Sequence, residues 1–254
     1  MFPILQLGPL ALPVPALAVL LSLWLGLSLA EKLAPKRGLS ADALYNLTFT
    51  TLLSGIAGAR LFFAVQNFSA FVQTPLSLFS RETGSLDPFG GFAAALLAAF
   101  IYGRRAGLKF WATLDGLTPL LAVLAVGLGL AHLASGAAFG METSLPWGIE
   151  LWGATRHPTQ LYEIGLALAI LLFLGWKAKN NSLSDGSLFW LFVALTAGAQ
   201  LFVEGLRATS TVLPGGVRVE QLLAWFALAG ALIKADFFTK SQPETEKDHA
   251  ATRQ

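Results

Sequence analysis

Arg156-His157-Pro158-Thr159-Gln160-Leu161-Tyr162-Glu163 leads straight into an apolar run that ends near Trp176. A cation, an imidazole, an amide, a phenol and a carboxylate share this short stretch, and the sequence around it is almost wholly apolar. Pro158 suits the first turn of a helix, where its missing N–H is not needed. The stretch reads as a loop passing into a membrane helix, with Glu163 about one turn inside. A carboxylate at a bilayer centre costs at least ~2.5–3.5 kcal/mol on insertion scales, so Glu163 calls for a partner or a wet cavity.

The same pattern of apolar run and charged loop extends over the whole chain. Of 254 residues, 55% are hydrophobic and only 13% charged, against about 25% charged in a soluble domain. A membrane helix needs ~20 mostly apolar residues. Seven runs meet that description, at residues 13–30, 43–66, 89–102, 110–134, 158–176, 187–206 and 219–237. The loops after the first, third and fifth runs hold Lys32, Lys36 and Arg37, then Arg104, Arg105 and Lys109, then Lys177 and Lys179. The segment after the seventh holds Lys240, Lys247 and Arg253, whereas the alternate loops hold only Arg81, Arg156, Arg207 and Arg218. Cytoplasmic loops are the ones enriched in Lys and Arg. The expectation is an all-α, polytopic membrane protein with seven transmembrane helices, the N-terminus outside and the C-terminus cytoplasmic. Residues 1–240 form the membrane domain, and the polar residues 241–254 are expected to be a disordered cytoplasmic tail.

The first run lacks a basic leading segment and ends at Glu31-Lys32 without a cleavage site, so it reads as a retained span. The chain has no cysteine, which excludes disulfides, thiolate metal sites and a Cys nucleophile. No metal-ligand cluster, Ser-His-Asp arrangement or nucleotide loop is present, and nothing points to nucleic acid. The two longest loops, around 67–88 and 135–156, both fall on the outer side. The second carries Gly136, Gly140, Leu145-Pro146-Trp147-Gly148 and Trp152, and tryptophan favours the membrane–water interface.

Polar groups at membrane depth are the candidate chemistry, and each has two readings. Arg60 follows the small residues Gly55-Ile56-Ala57-Gly58-Ala59, which allow another helix to approach closely. Its planar fork matches phosphate oxygens; equally, it could snorkel to the interface or pair structurally. Glu204 and Arg207 are three apart, hence on one helix face. They are either an oriented head-group cation or an ion pair closing a helix. Gln200 lies one turn earlier and suits an interhelical hydrogen bond, and Asp115 suits a helix start on the cytoplasmic side. His132, alone in an apolar run, reads as a structural group ahead of a base. His157 with Gln160, Tyr162 and Glu163 is either a polar cavity wall, with His157 as acid or base, or a capped helix start bonded to the neighbouring loop.

The octapeptide strongly resembles the most distinctive motif of the bacterial prolipoprotein diacylglyceryl transferases. Gln6-Leu7-Gly8-Pro9-Leu10, Gly58-Ala59-Arg60-Leu61, Leu145-Pro146-Trp147-Gly148, Phe202-Val203-Glu204-x-x-Arg207 and Gln221-Leu222-Leu223 match that family as well. The resemblance implies transfer of a diacylglyceryl group from phosphatidylglycerol to the lipobox cysteine thiol of a preprolipoprotein. It implies no metal or other cofactor, and a site at the outer face of the bacterial inner membrane. It implies that Arg60, Arg156 and Arg207 hold the head group, with Gln160, Tyr162 and Gln200 beside them. Glu163 and Glu204 would orient those cations, and His157 or His132 would take the thiol proton.

The departures are as specific as the matches. The family's His-Gly-Gly is Phe89-Gly90-Gly91 here, and the Tyr expected in the first span falls on Pro15. Its Gly-Arg-x-x-Asn-x-x-Asn-Gly-Glu signature falls on residues 128–137, with Gly129 at the Arg, His132 at the first Asn and Ala137 at the Glu. A second motif Arg is Gln200. Removing one preorganised donor from such a site costs on the order of 10²-fold or more in rate. Two expectations therefore stand together: a transferase with altered catalytic residues, and a non-catalytic relative that binds lipid or lipoprotein.

Overall fold

The computed structural model describes residues 3–8, 10–74, 86–180 and 184–240. The expected tail at 241–254 and Arg81 lie outside these. The described chain is helical, with α1 at Val14–Leu33, α2 at Ala41–Gln66, the short α3 at Phe68–Gln73, α4 at Pro88–Arg105, α5 at Phe110–Ser135, α6 at Thr159–Asn180, α7 at Ser187–Leu206 and α8 at Val219–Lys240. Each apolar run of the sequence falls on one of the long helices. Five of these, α1, α2, α5, α6 and α7, are long and apolar enough to cross a membrane. Their apolar surfaces face outward: Leu20, Trp24, Leu53, Phe62, Leu172 and Phe202 are all exposed. In water such a surface would be a large apolar patch, so it marks contact with lipid.

Two small antiparallel hairpins accompany the helices among the described residues. β1 (Ile4–Leu7) pairs with β2 (Leu10–Pro13), and β3 (Ile149–Leu151) pairs with β4 (Ala154–Arg156). The second turns at Trp152 and Gly153, with φ of 54° and 77°. Two successive positive φ values twist a tight hairpin in the sense that its strands need.

The chain forms two compact units. One is Glu31–Gly116; the other takes the chain up to Ala30 and again from Leu117. In the first, α2 and α4 pack through small residues. A Cβ on Gly55 would come within 3.2 Å of Ala95 Cβ, one on Gly91 within 3.0 Å of Ala59 Cβ, and one on Gly58 or Gly90 would collide with Ala94 or Phe62. Asp87 caps α4 by accepting from Gly90 N at 2.7 Å, and its own N–H donates to Ala59 O at 3.0 Å. Asp115, expected at a helix start, is fully buried and paired with Arg37 at 3.0 Å. In the second unit, α1 meets α5 closely: a Cβ on Gly26 would come within 2.8 Å of Leu120 Cδ1.

The loop between α5 and α6 decides where the polar residues go. Residues 139–143 run as an extended ribbon. On one side Met141 N donates to Leu206 O at 2.8 Å and Ala208 N to Phe139 O at 2.9 Å. On the other, His157 N donates to Met141 O and Thr143 N to Thr155 O, both at 2.9 Å. The ribbon thus ties the end of α7 to the start of α6. Gly140 is required there, because a Cβ would collide with the His157 carbonyl.

Candidate functional site

The end of α5, the first turns of α6 and the last turns of α7 bring one polar network together. Glu163 Oε2 accepts from His132 Nδ1 at 2.9 Å and from Arg207 Nη2 at 3.2 Å. Arg207 Nη1 donates to Glu204 Oε2 at 3.3 Å, and Gln200 Nε2 donates to the same oxygen at 3.2 Å. Ser210 Oγ donates to Glu204 Oε1, and Arg218 Nη1 donates to the Glu204 carbonyl. Glu204 is fully buried and Arg207 nearly so. The carboxylate that the sequence left in need of a partner has two.

A carboxylate only accepts, so Nδ1 of His132 carries a proton, and in the neutral imidazole Nε2 is the acceptor. Arg207 meets two carboxylates with its terminal nitrogens, while its buried Nε has no partner among the described residues. A buried donor without an acceptor costs about 1–3 kcal/mol, which a bound acceptor would relieve.

The octapeptide divides by role. Thr159 Oγ1 donates to Ala138 O at 2.8 Å and Gln160 Nε2 to Ala137 O at 2.9 Å, so both fasten the loop. Arg156 also holds the loop: it donates to Leu151 O at 3.1 Å, Gly140 O at 3.4 Å and Glu142 Oε1 at 3.4 Å, with its guanidinium 5.0 Å from the Phe139 ring centre. Tyr162 accepts from Trp147 Nε1 at 2.8 Å. The His157 ring centre lies 6.4 Å from that of Tyr162, and its buried Nδ1 has no partner among the described residues. Only Glu163 of the stretch joins the ionic network.

The replaced positions have their own surroundings. Phe89 is 82% exposed on the first turn of α4. Gly129 faces Ile164, and a Cβ there would come within 2.8 Å of Ile164 Cγ1. Arg60 sits in α2, in the other compact unit, and has an interaction partner of its own.

The chain matches the family described as "Prolipoprotein diacylglyceryl transferase" over residues 3–235. It belongs to that family. Among its relatives, the phosphatidylglycerol–prolipoprotein diacylglyceryl transferase of Clostridioides difficile is 30% identical over 222 residues, covering 85% of this chain and 86% of the relative. The enzyme of the same name from Cutibacterium acnes is 30% identical over 242 residues, covering 90% and 81%. That from Chloroflexus aggregans is 30% identical over 240 residues, covering 81% and 78%. Each of these matches covers most of this chain and most of the relative.

Sequence reasoning did not single out Ser210 as a partner of Glu204, and it saw Arg218 only as a loop cation. Both lie in the turn between α7 and α8, which has no periodic pattern. The one signal was an Arg placed just before a helix that follows a buried Glu-Arg pair.

Proposed function

We propose that this chain transfers a diacylglyceryl group from phosphatidylglycerol to the lipobox cysteine of a preprolipoprotein, with His132 as the base. The observation that carries this is the His132–Glu163 contact at 2.9 Å. A carboxylate that holds one imidazole nitrogen orients the other towards a proton it can accept, as in a nucleophile–base–orienter arrangement. His132 Nε2 takes the proton from the thiol. The thiolate sulfur attacks the glyceryl carbon that carries the phosphate oxygen. The S–C bond forms as the C–O bond breaks, and the electron pair leaves on glycerol phosphate. The imidazolium then returns its proton to that phosphate. Arg207, whose Nε has no partner among the described residues, holds the phosphate as charge develops. Arg156 is the further head-group cation of this reading, with Gln160, Tyr162 and Gln200 beside it. His132 is preferred to His157 because no carboxylate contacts His157 among the described residues.

In the same reading seven helices span the bacterial inner membrane, with the N-terminus outside and the C-terminus cytoplasmic. Residues 1–240 act as one membrane domain, and the network faces the outer leaflet. The loop charges support this.

A second reading has its own support. Gly129 is filled against by Ile164, Phe89 is apolar, and both terminal nitrogens of Arg207 already meet carboxylates. Such a protein would bind lipid or lipoprotein without turnover. Expression in a strain depleted of its own transferase separates the two. Lipid-modified lipoprotein that disappears with His132→Ala supports the transferase. Absence of modification, with phosphatidylglycerol still bound by the purified protein, supports the binding protein.

A further inference from the structure

The turn joining α7 to α8 is fixed tightly. Leu213 N donates to Val217 O at 2.8 Å, Gly216 N to Leu213 O at 3.0 Å, and Val219 N to Thr211 O at 3.0 Å. Both oxygens of Glu220 accept from Thr211 N at 3.2 Å. Val212 and Arg218 face each other as a bridge pair. Arg218 is thereby set beside Glu204, and its Nη1 meets the same carbonyl that the Arg207 N–H approaches at 3.3 Å.

The partners of the two guanidinium groups differ sharply. Arg207 meets Glu163 and Glu204. Arg218 meets one carbonyl and, at 3.8 Å, the thioether of Met141; among the described residues no carboxylate pairs with it. It is half-buried. A partly buried guanidinium whose remaining N–H groups meet no acceptor among the described residues is suited to an anion from outside the chain, and its planar fork fits phosphate oxygens.

We propose that Arg218 is a head-group cation for the phosphate of phosphatidylglycerol, acting beside Arg207. It lies outside the short motifs quoted above for the family. It supplies positive charge in a network where the motif positions Gly129 and Gln200 carry none. The assignment rests on the head-group reading of the site given above.

The test uses the full chain in phosphatidylcholine nanodiscs, with wild type, Arg218→Gln and Arg218→Lys compared. Retention of added phosphatidylglycerol is read by native mass spectrometry, and inorganic phosphate is titrated separately. Loss of a charge-assisted phosphate contact should weaken phosphatidylglycerol binding ~10-fold or more, and Arg218→Lys should restore much of it. If wild type binds phosphatidylglycerol and Arg218→Gln binds equally well, Arg218 is not a head-group cation and the reading of Arg207 stands. If wild type shows no preference for phosphatidylglycerol, both fall. A response to inorganic phosphate alone overturns the lipid assignment. Should Arg218→Gln not fold, Met141→Glu places a carboxylate against Arg218 with Met141→Gln as its neutral control. Weaker binding in Met141→Glu only is expected, and equal binding in the two overturns the proposal.

Discussion

Glu163 Oε2 stands 2.9 Å from His132 Nδ1 and 3.2 Å from Arg207 Nη2, so one carboxylate oxygen joins an imidazole to a guanidinium. The three residues come from the end of α5, the start of α6 and the end of α7. Truncating the shared member disturbs both neighbours at once. Glu163→Gln should lower lipoprotein modification by about 10²-fold while the protein still folds, because His132 loses its orienting charge. His132→Ala should abolish modification, and the double variant should be no worse than His132→Ala alone, since the residues act as a unit. Equal, independent losses in a lipidation assay would contradict the shared role.

Glu204 should matter first for stability. It is fully buried and meets Arg207, Gln200 and Ser210. Removing one partner of a buried ion pair strands the other charge, at a cost of about 3–5 kcal/mol. Glu204→Ala should lower the thermal midpoint in detergent more than Gln200→Ala does. Arg207→Ala in the same background should return part of the loss. A midpoint unchanged by Glu204→Ala would show that the pair is not desolvated.

The α2–α4 contact makes a separate prediction. A side chain at Gly58 would collide with Ala94, and one at Gly90 with Phe62. Overpacking of this kind costs about 1–3 kcal/mol. Gly58→Leu should therefore destabilise the protein, and Gly103→Leu, where a Cβ meets nothing within 4 Å, should not. Thermal melts of the two variants in one detergent decide it.

Thr159 and Gln160 hold the loop before α6 through the carbonyls of Ala138 and Ala137. Each hydrogen bond is worth about 1 kcal/mol net. The double variant Thr159→Ala, Gln160→Ala should loosen residues 136–158 and speed their proteolysis or amide exchange, with the core of α5 protected as before. Exchange that rises equally in α5 would mean the substitutions unfold the unit as a whole.

The helices were legible because apolar length and loop charge are local, additive signals. The runs at 110–134 and 187–206 became α5 and α7 almost residue for residue. The close approach at Gly55 and Gly58 was legible too, since small residues at that spacing leave a gap that only another helix fills. His132 shows the limit. It read as a lone structural imidazole, because its partner Glu163 is 31 residues away on another helix. Asp115 read as a helix start, and the structure buries it against Arg37. Within the octapeptide, the reading of a helix start bonded to its loop describes Thr159 and Gln160, while Glu163 belongs to the ionic network. The ribbon at 139–143 was not legible, because Phe139-Gly140-Met141-Glu142-Thr143 is too short a run for its alternation to stand out.

Ile164 pressing on Gly129 also sets what residue 129 can carry. Even a methyl group there meets Ile164 Cγ1 at 2.8 Å and the Ile164 backbone N at 3.3 Å, so a guanidinium at residue 129 needs the neighbouring side chain to move or shrink. The two positions are therefore coupled: an arginine engineered at residue 129 should be accommodated better together with Ile164→Ala than alone.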